Sequence, residues 1–107
     1  MGMFNCAAVR IRMGRGDHMN IRKHIQFYGK VQGVGFRYHA TYRARILGLT
    51  GWVRNCYDGS VEMEVQGEPE KIDDLLLYLH RQKFIRINRM DEEKIELKEE
   101  REFKEKW

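Results

Sequence analysis

The 107 residues are enough for one small domain with a single core and too few for two. An apolar content of 42% and a charged content of 34% fit a globular chain, and no apolar run approaches the ~20 residues a membrane crossing needs. The formal net charge of +4 sits entirely in residues 1–23, where Arg10, Arg12, Arg15, Arg22 and Lys23 stand against Asp17; the balanced remainder gives no basic face for nucleic acid unless folding clusters the charges.

Residues 1–20 show no sustained period, and "MGRGDHMN" has the glycine and polar character of a flexible basic leader. Met13 and Met19 offer later starts, so this leader need not be native, and it lacks the continuous apolar stretch of a secretory signal. Residues 21–107 form the expected domain. Cys6 and Cys56 have no metal-like spacing; they read as reduced thiols of a cytoplasmic protein, with a disulfide between them as the alternative. His18, His24, His39 and His80 form no ligand pattern, so no metal site is expected.

From His24 onward Ile25, Phe27 and Val31 share one parity and Gln26, Tyr28 and Lys30 the other, the pattern of a half-buried strand. Phe36, Ala40, Ala44 and Leu47 then recur at helical spacing, with Gly48 as a stop. "LTGWVRN" is a second strand, "CYDG" a turn by its Asp-Gly chemistry, and "SVEMEVQ" a third strand closing a hairpin. "GEPEKIDDLLLYLH" has Pro69 near a helix start and Ile72, Leu75, Leu76 and Leu79 on one face. In the tail a strand is expected from Ile85 to Met90, extending or resuming through Leu97, and a short last strand around Phe103; Phe103 and Trp107 read as apolar anchors. The order β-α-β-β-α-β with a possible fifth strand predicts a ferredoxin-like α+β sandwich: a largely antiparallel sheet of four to five strands with two helices on one face. That architecture hosts enzymes and binding modules alike, so function has to come from a site.

Between the first strand and the first helix runs "YGKVQGVGFRYHA", with three glycines, no acid, and Arg37. Gly33 and Gly35 suit a tight turn with open amides, and a helix beginning at Phe36 or Arg37 would place those donors at its positive end, a site for an anion. Arg37 adds a guanidinium fork for two oxygens. A plain strand-to-helix turn with a surface arginine is the other reading of this stretch. Asn55, at the end of the second strand, is likewise either a turn residue or a polar group placed for chemistry.

Two segments stand together: "GKVQGVGFR" at 29–37 and "GWVRNCYDGSVEMEVQG" at 51–67. Both resemble the two signatures of the acylphosphatase family, and the order of elements is similar to its fold from about Ile21 to Phe103. In the second segment Gly51, Trp52, Val53, Asn55, Gly59, Val61 and Gly67 fall at the family's spacing. The resemblance implies hydrolysis of the carboxyl-phosphate bond of an acyl phosphate, without metal or other cofactor. It further implies that Gln32, Gly33, Val34, Gly35 and Phe36 offer their amides to the phosphoryl group together with Arg37, and that Asn55 orients the attacking water. A monomer acting on a small acyl phosphate, with neither nucleic acid nor membrane as partner, is the matching expectation.

The neighbouring candidates have simpler readings. Tyr38 and His39 read as packing or surface groups, Asp58 as turn chemistry, Arg54 as a solvent-facing strand residue, and Cys56 has no assigned role. "HRQKFIRINRM" lacks the glycine and proline usual there in many relatives, so that loop is expected to differ in shape. Two other functions share the architecture: a non-catalytic anion-binding regulatory module, and an RNA-binding domain, whose K/R-G-F/Y-G/A-F-V-x-F/Y pattern is missing.

Overall fold

A computed structural model describes residues 19–107; the leader lies outside the described residues, apart from its last two positions. The elements run β1 (Ile21–Lys30), α1 (Phe36–Ile46), β2 (Thr50–Asn55), β3 (Val61–Gly67), α2 (Pro69–His80), β4 (Arg86–Ile95) and β5 (Phe103–Lys106). The sheet order is β4-β1-β3-β2-β5, antiparallel except for the β2–β5 pair. This is the expected ferredoxin-like sandwich with its fifth strand present.

Strand parity decides which face is covered. Ile25 and Phe27 of β1, Val53 of β2, and Val61, Met63 and Val65 of β3 point to one side and are fully buried there. Against them pack Phe36, Ala40 and Ala44 of α1 and Ile72, Leu75 and Leu79 of α2, the residues whose helical spacing marks an apolar stripe. Arg43 ties the helices together through Asp74 at 3.0 Å. Among the described residues no helix is long and apolar enough to cross a membrane.

The opposite face is polar and partly strapped. Residues 96–102 carry the chain from β4 at one edge to β5 at the other. On the way Lys98 exchanges two 2.9 Å hydrogen bonds with the Gln66 side chain, and Glu100 reaches Arg22 at 2.7 Å. Arg22 therefore belongs to β1 rather than to a leader: its side chain is wholly buried between Glu64 and Glu100. Lys23 is in β1 as well, paired with Glu92 at 2.8 Å. β4 is one strand that stops at Ile95, because its partner β1 has only one residue left beyond the Arg22–Ile95 pair. Leu97 lies past that end, exposed. Phe103 is a buried anchor as expected, whereas Trp107 is not: it follows the last residue of β5, beyond the core, and is 91% exposed.

Candidate active site

The glycine loop is shaped by its backbone. Gly33 and Gly35 have φ of 74° and 80°, the left-handed region that costs a residue with a Cβ about 1–2 kcal/mol. A Cβ at either position would meet nothing closer than 3.5 Å, so conformation, not crowding, calls for glycine there. Gly35 is also the N-cap of α1 and provides no side-chain cap, and the first turn holds no acid. Among the described residues no backbone N–H from Gly33 to Tyr38 reaches a backbone carbonyl; the first to do so is that of His39, donating to Gly35 at 2.9 Å. A row of unpaired amides thus gathers at the positive end of a helix.

Packing fixes both ends of this loop. The ring of Phe27, near the end of β1, lies 4.8 Å from that of Phe36, the first residue of α1. Gln32 acts from the loop itself: its side-chain amide donates to the carbonyls of Cys56 at 2.7 Å and Ser60 at 2.8 Å. Within that β2–β3 turn the Ser60 hydroxyl and backbone N–H donate to Asp58, which holds its carboxyl below the usual carboxylate range. Asp58 is turn chemistry, as its position suggests.

Asn55, the last residue of β2, is brought by this arrangement to the mouth of the loop. A pocket of about 180 Å³ is lined by Val31, Gly33, Gly35, Phe36, Arg37, Tyr38, Asn55 and Glu105. The Asn55 carboxamide makes no hydrogen bond to a described residue and is open to a ligand or water. Larger clefts exist, such as one between α1 and α2 beside Arg43 and Tyr78, but they gather no comparable row of amides. Cys56 is half-buried, free, and turned toward Gln26, whose amide is 3.3 Å from its Sγ. Arg54 lies on the open face, paired with Glu62 at 2.7 Å.

Arg37 is the pocket's cation. Its guanidinium carbon lies 4.1 Å from the centroid of the Trp107 ring, and Nη1 makes a long 3.4 Å contact with the Lys106 carbonyl. Nε and Nη2 have no partner among the described residues, which leaves one edge of the fork for two oxygens. Sequence reasoning missed Trp107 and Glu105 as neighbours of this site. The parity of β5 is the signal for Glu105, since it follows the buried Phe103 by two; Trp107, beyond the strand, has no comparable cue.

The Acylphosphatase family model matches residues 23–105. The chain belongs to the acylphosphatase family. A curated acylphosphatase of Thermococcus kodakarensis is 48% identical over 60 residues, covering 56% of this chain and 66% of that one. One from Bifidobacterium longum is 57% identical over 56 residues, covering 52% of this chain and 58% of its own. The chain thus spans less than two thirds of the length of these curated relatives. Among solved structures, an acylphosphatase from Coxiella burnetii superposes with a TM-score of 0.75 at 32% identity, covering 81% of this chain and 93% of that one.

Proposed function

We propose that this protein, through the domain from Ile21 onward, hydrolyses acyl phosphates to a carboxylate and inorganic phosphate. The observation that carries this reading is the meeting of three kinds of group in one pocket: the unpaired amides of the glycine loop, the free edge of Arg37, and the unengaged carboxamide of Asn55.

An acyl phosphate brings its own leaving group, since a carboxylate departs without prior protonation. The protein's task is therefore positioning and charge stabilisation. The phosphoryl oxygens take the loop amides and the Arg37 fork. The Asn55 carbonyl accepts a proton of a water and its amide N–H donates to a neighbouring oxygen, aiming the water's lone pair at phosphorus. The water oxygen bonds to phosphorus, the bond from phosphorus to the acyl oxygen breaks with its electron pair on the carboxylate, and the surplus water proton passes to phosphate or solvent. Losing one preorganised donor at such a site typically costs about 3–4 kcal/mol in the barrier.

The test is turnover of benzoyl phosphate by purified protein in excess EDTA, with Arg37→Ala and Asn55→Ala as variants. Phosphate release by the parent and its loss, by 100-fold or more, in both variants is the expected result. Phosphate binding without release would instead indicate a non-catalytic anion-binding module. A cytoplasmic monomer without nucleic acid completes the proposal. Light scattering checks the monomer, and a gel-shift titration with single-stranded RNA checks the exclusion.

A further inference from the structure

The pocket at the head of α1 is lined by one charged side chain that the proposed chemistry leaves unused. Glu105 follows the fully buried Phe103 by two residues in β5, so its carboxylate is turned to the helix side of the sheet, where it lines the pocket with Arg37 and Asn55. Its register partner is Val53, two residues before Asn55, which by strand geometry sets the Cα atoms of Glu105 and Asn55 roughly 8 Å apart. No described residue forms an ion pair or hydrogen bond with the Glu105 side chain.

A carboxylate beside an anion site opposes the bound phosphoryl charge at short range, where screening is weak. Something else must offset that cost. Arg37, Asn55 and the loop amides are taken by the phosphoryl group and the water, Val31 and Phe36 offer only apolar surface, and the Tyr38 side chain, largely exposed, makes no hydrogen bond to Glu105. The acyl end of the substrate is what remains for Glu105 to meet. A carboxylate is purely an acceptor, so the group that suits it carries a donor, and an amino group in place of a methyl is the smallest change to an acyl group that supplies one.

Resting on the acyl phosphate reading above, we propose that Glu105 makes the site selective for acyl phosphates whose acyl group bears an N–H donor, against those with an apolar acyl group. The selection works in two ways. The donor-bearing substrate gains a charge-assisted hydrogen bond, and the apolar one faces the uncompensated repulsion.

Carbamoyl phosphate and acetyl phosphate are the probes, because they differ by an amino group in place of a methyl group of nearly equal size. The readout is the ratio of their kcat/KM values, each corrected for uncatalysed decay, in the parent, in Glu105→Val and in Glu105→Gln. The ratio is expected to fall about tenfold from parent to Glu105→Val, mainly through a gain with acetyl phosphate, and by less in Glu105→Gln, which keeps an acceptor oxygen. In both variants inorganic phosphate is expected to bind about 3- to 10-fold more tightly, measured by calorimetry. An unchanged ratio in two folded variants overturns the proposal. So does an equal loss of kcat with both substrates, since that would make Glu105 a base for the water. Should the parent hydrolyse neither compound, the function proposed above fails, and the phosphate titration still decides the placement of Glu105: no tightening in either variant overturns it.

Discussion

The side-chain nitrogen of Gln32 lies 2.7 Å from the carbonyl oxygen of Cys56, across 24 residues of chain. With its second bond to Ser60 at 2.8 Å, one amide of the glycine loop closes over both ends of the β2–β3 turn. Asn55 immediately precedes that turn. The spacing between the phosphoryl cradle and the water-orienting carboxamide is thus set by two neutral hydrogen bonds, each with a net contribution of about 1 kcal/mol.

Replacing Gln32 by Leu is expected to lower stability by about 1–3 kcal/mol in urea unfolding, since two hydrogen bonds are lost and each carbonyl keeps only its backbone donor, Gly59 for Cys56 and Cys56 for Ser60. Its kinetic signature is a split: kcat falls about tenfold, while inhibition by phosphate changes less than threefold because Arg37 and the loop amides stay in place. Equal effects on both quantities would show that Gln32 shapes the anion cradle rather than the spacing.

The stacking of Arg37 on Trp107 gives a second expectation. Trp107 is almost fully exposed, so its removal leaves the core intact, and what is lost is a cation–π contact of about 0.5–1 kcal/mol at an exposed site. Trp107→Ala should raise KM for benzoyl phosphate about 2- to 5-fold with a melting temperature within about 2 °C of the parent. Trp107→Phe should recover most of the change. A variant whose KM equals that of the parent would mean that Arg37 is oriented without the ring.

Acid should weaken the strapped face. Burial alone would raise the Glu64 carboxyl, but the hydrogen bond from Arg22 and then that from Lys98 outweigh it and hold the group below the usual glutamate range. Glu62 is lowered in the same way by His24 and Arg54, again against burial. A carboxyl depressed in the folded state contributes stability that is complete above its unfolded value of about 4.3 and is lost as pH falls through the folded value. Urea midpoints are therefore expected to hold steady from pH 7 to pH 5 and to decline below about pH 4.3. Glu64→Gln should start lower and decline less steeply. Arg22→Met should cost about 1–3 kcal/mol at pH 7, less than a fully buried broken pair, because Glu64 and Glu100 retain contact with water. A flat midpoint down to pH 3 would remove these carboxyls from the account.

Much of the fold is readable in the sequence because each helix carries an apolar stripe at helical spacing and the first and third strands alternate, while β2, with Val53 as its one buried apolar side chain, is read together with its hairpin turn. Phe36, Ala40 and Ala44, or Ile72, Leu75 and Leu79, can only serve one face, and the structure buries that face. The joint role of Arg37 and Asn55 is implied by the resemblance of two segments to the acylphosphatase signatures, since the residues alone leave a surface arginine and a turn asparagine as open readings; the structure supplies the physical reason, with one opening α1 and the other closing β2 at the same pocket. The C-terminal contribution is not readable in the same way. "REFKEKW" has one apolar residue inside the strand, and its place beside β2 depends on parallel pairing of segments about fifty residues apart, with Gly51 opposite Phe103. Arg22 is hidden by its neighbours in sequence. It follows a basic leader, yet its burial depends on the strap at residues 96–102, a contact that no local period encodes.

The measurement that bears most directly on the account is hydrolysis of acetyl phosphate in ¹⁸O-labelled water, followed by mass analysis of both products. If the loop amides and Arg37 hold the phosphoryl group while Asn55 aims water at phosphorus, the label enters inorganic phosphate, one atom per turnover, and acetate stays unlabelled. Label in the acetate would place the attack on the acyl carbon and contradict the assignment of this pocket.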